Sequence, residues 1–342
     1  MEGFLLAVSA NFAGPIVDRG HPRYVVMSGT FFVVFGLMMT SLGTKYWQFI
    51  IAQGVCVGLG CGQLFITAVA VLPGWFDKKR ALAAGIAAAG SSVGGMIYPI
   101  ILRRLQVLGL SFGWGVRIVG FVALASQTVP LALIKLRALP PARKRIVDFT
   151  GFREPLFCVF SSSSFFGAMG LYVPFFYIEE YAYSEVQAAS RLSYYMLPIM
   201  SAGSIVGRIL PGLLATRSGP LNVLVGFTAI AALLAFCWIA IRNSVAGLVV
   251  WAILYGLFSG AFVSLQTPTI ASITQDMSTV GGRMGMNNFC AALGVLIGSP
   301  VAGAINGNGS SWVGLQVFVG GALAASTLCC IAAIILKNRS AQ

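Results

Sequence analysis

Arg208 is the residue of this 342-residue chain whose surroundings most need a chemical explanation. It stands inside the apolar run 188–213, where an ionised side chain is costly unless it meets a partner. A guanidinium offers a planar fork of donors that matches a carboxylate through two parallel hydrogen bonds. The chemistry available is reversible capture of an organic anion, most simply a small carboxylate. A second reading stays open, in which Arg208 lies near a helix end and reaches the headgroups with its stem in hydrocarbon. Bond-making chemistry has little to work with. The chain holds one His and nine acids, the acids mostly in polar connections. No Cys-His or paired-carboxylate spacing offers a metal site or an acid–base pair. His21, beside Pro22, reads as a solvated loop residue rather than a pH sensor.

The elements that must position Arg208 are membrane spans. Hydrophobic residues make up 58% of the chain and charged residues 9%, against roughly 25% charged in ordinary globular domains. Runs of about 20 apolar residues read as spans, and they occur at 1–17, 24–43, 47–72, 81–102, 113–136, 155–178, 188–213, 220–241, 245–273, 284–305 and 312–336. Helices satisfy their own backbone in lipid. The sequence therefore predicts an all-α polytopic membrane protein with eleven transmembrane helices. The first run has no basic leader and continues into Gly14-Pro15-Ile16-Val17-Asp18-Arg19, so it reads as a span and not a signal peptide.

The net charge of +13 does not point to nucleic acid, because its distribution follows the spans. Of the 22 Lys and Arg, sixteen fall in or beside alternate connections, leaving six on the other side. That asymmetry places the basic side and the C-terminus in the cytoplasm and Met1 outside. The expected location is the plasma membrane, with the lipid bilayer as surroundings. The seven Cys lie within apolar runs and read as small buried hydrophobes, not a disulfide framework.

The chain also resembles itself. "GPIVDRGHPRYVV" from Gly14 and "GLLATRSGPLNVL" from Gly212 each put a helix-ending Gly, a basic residue and a turn Gly between two spans. Arg80 precedes "AAAGSSVGGMIYP" and Arg283 precedes "AALGVLIGSP", each ahead of a Gly-rich helix closing on Pro. The repeat divides the chain into a bundle over 1–136, a basic cytoplasmic linker over 137–154, and a six-helix bundle over 155–342. Two six-helix bundles in parallel repeat resemble the major facilitator superfamily. Against that plan the first bundle has five helices, and its first helix is expected to be missing upstream of Met1.

The stretch "WFDKKRALAAGIAAAGSSVGG" (75–95) sets charges directly against a helix of Ala, Gly and Ser. Ala81, Gly85 and Ala89 repeat at i+4, and so do Ala83, Ala87 and Ser91. Small residues at this spacing let a neighbouring backbone come close, which suits either a moving helix or static packing. Trp75, Phe76, Lys78, Lys79, Arg80, Leu82, Ala83, Gly85, Ala87, Ala89 and Gly90 resemble the fifth-helix signature of the monocarboxylate porter family, with Trp75 in place of the usual Tyr. "GLYVPFFYIEEYA" (170–182), "GSIVGRILPGLLA" (203–215) and "GRMGMNNFCAALGVLIGSPVAGAI" (282–305) are similar to its fungal branch.

The resemblance implies a substrate site near mid-membrane. Arg208 matches the eighth-helix Arg that engages a substrate carboxylate, whereas the Asp four residues earlier is Ser204 here. Tyr172, Gln266 and Asn287 join them as candidates, with Gln53, Gln63, Thr67, Tyr177, Ser264, Thr267 and Asn288 as weaker polar positions. Ser161 to Ser164 read as helix packing; Pro268 and Pro300 could break helices locally, although Pro is tolerated in spans generally. Asp18 and Arg19 resemble the superfamily's loop between helices two and three. Asp18 would then form a cytoplasmic gate with Arg80 and the helix start near Arg283, one-sided because the repeat-related position is Thr216. Gly85, Ala89 and Gly90 would serve helix packing.

A secondary active transporter of a small organic anion or secondary metabolite, working in uptake or efflux, accounts for all these features. A membrane enzyme does not. An inactive truncated relative or a transporter-derived sensor is the alternative. No cofactor is implied, and proton coupling stays open. The charge asymmetry makes a direct prediction. Cysteines introduced at 135–155 and at the C-terminus should react with impermeant reagents only after permeabilisation, and those in the expected outside loop around Glu179 to Glu185 should react on intact cells. Labelling of the 140s from outside would overturn the topology.

Overall fold

The computed structural model describes residues 1–76, 80–135, 149–186, 190–242, 244–274, 279–307 and 311–340. Lys78, Lys79 and linker residues 136–148 lie outside the described residues, as do the side chains of Asp18, Arg80 and Arg191. Among the described residues there are helices and turns but no strand. In chain order these are α1 (Glu2–Asp18), α2 (Pro22–Thr40), α3 (Tyr46–Phe49), a π-helical stretch (Ile50–Val57), α4 (Gly58–Trp75), α5 (Arg80–Val107) and α6 (Phe112–Leu133). After them come α7 (Pro155–Leu171), α8 (Val173–Ser184), α9 (Ser190–Ser193), α10 (Met196–Ser218), α11 (Pro220–Cys237), α12 (Val245–Ile273), α13 (Val280–Asn306) and α14 (Trp312–Ser340). Ten stretches among them are long and apolar enough to cross a membrane. α1, expected as an eleventh, has 17 residues and at 1.5 Å each covers about 25 Å of a hydrocarbon core near 30 Å.

The repeat is visible in both turns and packing. α1 runs past Gly14 to Asp18 and α10 past Gly212 to Ser218, so neither of the glycines read as helix-ending in the repeat ends its helix. Each continues to a positive-φ glycine, Gly20 at φ 93° and Gly219 at φ 81°, followed by a helix with Pro in its first turn. Proline's fixed φ suits that first turn. After α1 the Gly20 N–H donates to the Val17 carbonyl and the His21 N–H to that of Ile16, the paired bonds of a glycine-terminated helix. Chain contacts group into two compact units. One is Met1–Asp77, Tyr98–Asp148 and Asp276–Gly285; the other is Lys78–Ile97, Phe149–Gln275 and Met286–Gln342. In the first, α4 packs on α1 and α2, and α2 on α6; in the second, α12 packs on α10 and α11, and α11 on α14. The same three pairings recur six helices apart.

Glycine sets the closest of these contacts. A Cβ on Gly207 would stand 1.9 Å from the Leu257 carbonyl oxygen, and one on Gly203 would stand 2.3 Å from that of Ile253. On the facing helix, a Cβ on Gly256 would stand 2.1 Å from the Met200 carbonyl oxygen. Two four-residue glycine steps, 203–207 and 256–260, thus let α10 and α12 meet backbone to backbone. α13 meets α7 in the same way: Cβ atoms on Gly294 and Gly298 would fall 2.2 and 2.1 Å from the Phe165 and Met169 carbonyl oxygens. Ser163 bonds Ser326 at 3.1 Å and Cys330 at 2.8 Å, so this part of the serine run joins α7 to α14.

One predicted span is broken. Instead of a single helix over 155–178, α7 ends at Leu171 and α8 runs on to Ser184, so Glu179 and Glu180 are helical and not in a loop. The cause is Pro174, which has no N–H and clashes with the carbonyl four residues back. Of the two readings of Pro268 and Pro300, tolerance holds, because both lie inside continuous helices. Packed neighbours keep a proline-containing helix intact.

These contacts predict an asymmetric response to alanine. Gly207→Ala must separate α10 from α12, an overpacking cost of about 1–3 kcal/mol or more, and should lower the melting temperature of purified protein by several degrees. Gly226→Ala, on α11 with nothing within 4 Å, should leave it unchanged or slightly raised. Equal melting of both variants and wild type would contradict the packing.

Candidate functional site

Arg208 is the thirteenth of the 23 residues of α10, so about 15 Å of helix separates it from Ser218. A headgroup anchor belongs at a helix end, where Arg217 lies exposed, whereas Arg208 is near the centre. Its Nε donates to Ser204 Oγ at 3.3 Å, and one terminal nitrogen donates to the Ala88 carbonyl at 2.6 Å and to Ser91 Oγ. Every one of these partners is neutral. The other terminal nitrogen has no hydrogen-bond partner among the described residues. A mid-helix guanidinium held by dipoles alone leaves its charge uncompensated, a cost of several kcal/mol in a low-dielectric setting.

The small-residue helix α5 makes this arrangement possible. A Cβ on Gly85 would stand 2.3 Å from the Arg208 carbonyl oxygen, and one on Gly212 would stand 2.8 Å from that of Ala81. α10 is therefore gripped by glycine contacts to α5 on one side and α12 on the other. Gly85 and Ala89 lie buried on this seam. Gly90 does not, being exposed with nothing within 4 Å. It lies five residues beyond Gly85, about 140° around the helix. Ala87, Gly90 and Ser91 form an exposed strip beside the guanidinium.

The candidate residues fall into two groups. Ser204 links Arg208 to Ser92 of α5 at 3.2 Å, and Tyr172, at the α7–α8 break, lies within electrostatic reach of the guanidinium. Gln266 of α12 and Asn287 of α13 form a separate buried pair, the Asn287 amide nitrogen donating to Gln266 Oε1 at 3.4 Å. Asn287 Oδ1 is buried without a hydrogen-bond partner among the described residues. No hydrogen bond joins the two groups among the described residues. Of the expected gate, Arg19 is exposed in the turn after α1 and Arg283 is buried on the first turn of α13. Near it, the Asn11 amide donates to the Gly285 carbonyl at 3.2 Å.

Ala88, Ser91 and Ser92 were not singled out as site residues, although Ser91 and Ser92 are the first hydroxyls after the Ala-Gly run of α5. Trp75, the departure from the porter signature, donates its indole N–H to the Lys135 carbonyl at 3.1 Å, and Arg23 Nε donates to that of Ile134 at 3.4 Å. Both hold the segment where α6 leads into the linker. Gln63 accepts from Ser28 Oγ at 2.5 Å and lines an open groove of about 330 Å³ with Ser9, Phe12 and Leu59.

Comparison with known proteins agrees with this architecture. The profile of the Major Facilitator Superfamily matches residues 3–247. The chain is 38% identical over 335 residues to the MFS-type transporter dbaD of Emericella nidulans, covering 97% of this chain and 75% of that protein. It is 35% identical to the aspyridones efflux protein apdF of the same fungus, covering 93% of this chain and 64% of that one. The fold is similar to that of the human organic anion transporter MFSD10 (TETRAN), with a TM-score of 0.69 at 15% identity over 96% of this chain and 82% of that one.

Proposed function

The chain belongs to the Major Facilitator Superfamily, and from that premise we propose that it is a secondary active transporter which exports an organic anion by alternating access. We place it in the fungal branch of the monocarboxylate porters on the signature over 75–90. Residues 1–136 and 155–342 are its two bundles, joined by the basic stretch 137–154. It resides in the plasma membrane with its C-terminus in the cytoplasm. The observation that carries the proposal is Arg208, a mid-helix guanidinium that has only neutral partners, and one nitrogen without any, among the described residues. A carboxylate entering beside Ala87, Gly90 and Ser91 supplies the missing counter-charge. Efflux of a secondary metabolite is favoured over uptake by the relative named as the aspyridones efflux protein.

Arg208 binds the carboxylate, Ser204 and Ser91 orient the guanidinium, and Tyr172 closes the site with a phenol. Ser204 stands where the porter family carries an Asp, so no carboxyl is present at that position and the proposal includes no proton step there. The proposal predicts the behaviour of a charge-conserving variant. Arg208→Lys keeps the charge but loses the fork, so counterflow of [14C]lactate and [14C]benzoate in proteoliposomes should fall by at least about tenfold, or ~1.4 kcal/mol. Arg217→Lys, at the exposed end of α10, should transport at wild-type rates. If Arg208→Lys matches wild type for both probes, the anion reading fails and the substrate is uncharged.

A further inference from the structure

The break between α7 and α8 leaves backbone groups that something must satisfy. In a continuous helix the Phe175 N–H would donate to the Leu171 carbonyl. Here it donates to the Tyr172 carbonyl at 3.1 Å, and Pro174 has no N–H to offer Gly170. An unsatisfied carbonyl is costly at membrane depth. Leu171 does not stay unsatisfied, because the hydroxyl of Tyr255 on α12 donates to its carbonyl at 3.1 Å. Tyr255 is fully buried. Its ring stacks on Trp251 at 5.1 Å and lies 6.2 Å from Phe175 of α8. Trp251 is fixed in turn by its indole N–H on the Leu234 carbonyl at 2.7 Å. Tyr255 also precedes Gly256, whose contact with the Met200 carbonyl sets the register of α12 on α10.

We propose that Tyr255 is a positioning residue for the substrate site: its hydroxyl holds the carbonyl stranded by the break at Pro174 and thereby fixes the backbone at Tyr172, the candidate site residue that follows it. The residue after the latched carbonyl is Tyr172, at φ −84° and ψ −18°, so the bond at Leu171 acts one peptide from the side chain it aims. A tyrosine buried only for packing would serve equally well as phenylalanine. This one carries a hydroxyl whose bond is needed because the neighbouring helix is interrupted. The effect on transport rests on Arg208 being the anion site, whereas the latch itself does not.

The test uses Tyr255→Phe, Pro174→Ala and the double variant in the full chain. Pro174→Ala restores an N–H and removes the ring clash, allowing Phe175 to recapture the Leu171 carbonyl. Tyr255→Phe should raise hydrogen exchange in peptides covering 170–178 about tenfold, with exchange in α14 unchanged. It should raise the half-saturating [14C]benzoate concentration about five- to tenfold, with less than a twofold change in maximal rate. The double variant should fall within about twofold of Pro174→Ala alone on both readouts, because the hydroxyl is then redundant. Unchanged exchange in Tyr255→Phe, or effects of the two substitutions that simply multiply, would overturn the latch. Altered exchange with an unchanged half-saturating concentration would overturn its role in positioning. If wild type carries no benzoate, the anion reading has failed, and the exchange of the three variants alone decides for or against Tyr255.

Discussion

The backbone contact between α10 and α12 is the constraint on which the rest of the second unit depends. With the Gly207 Cα this close to the Leu257 carbonyl, neither helix can rotate or slide without a clash. Arg208 is the next residue after Gly207, so the contact determines which way the guanidinium leaves its helix. Tyr255 is the residue before Gly256, so the same contact directs the phenol towards the α7–α8 break. α5 completes the grip through Gly85 on the Arg208 carbonyl. Lipid gives helices no hydrophobic reason to associate, and close backbone packing supplies the dispersion contacts instead. Between α5 and α10, Ser91 and Ser204 accept from the guanidinium of Arg208, and Ser92 donates to Ser204.

Electrostatics explains why such a rigid frame is useful. A guanidinium on a mobile helix could seek the headgroups or draw water to itself. Here it is fixed at mid-helix by Ser204, Ser91 and the Ala88 carbonyl, all neutral. Neutral partners orient the charge without cancelling it. An acid at 204 would form an internal ion pair that a substrate anion must displace. Serine at 204 gives the guanidinium a neutral acceptor instead.

Much of the fold was legible in the sequence because lipid imposes simple rules. Ten spans follow from apolar length, and the repeat follows from Gly20 before Pro22 and Gly219 before Pro220. Arg208 stood out because charge is rare in such runs. What was not legible depends on partners. Pro174, Pro268 and Pro300 look alike in sequence, yet only the first interrupts its helix. Gly85 and Gly90 look alike too, and only the orientation of α5 on α10 separates a packed glycine from an open one. The hydrogen bonds of Ser91 to Arg208 and of Tyr255 to Leu171 span more than 80 residues of chain, and no local pattern announces them. The π-helical stretch over Ile50–Val57 has no counterpart signal in its residues.

The central claim is that position 208 needs a positive charge reachable from water, at the depth where α10 meets α5. The most direct measurement replaces the seven native cysteines, introduces Arg208→Cys, and follows [14C]benzoate counterflow before and after two methanethiosulfonate reagents of opposite charge. The account predicts that the cysteine variant is inactive, that an ethylammonium adduct restores a measurable fraction of transport, and that an ethylsulfonate adduct does not. Full activity of the unmodified cysteine variant, or equal recovery with both reagents, would contradict it.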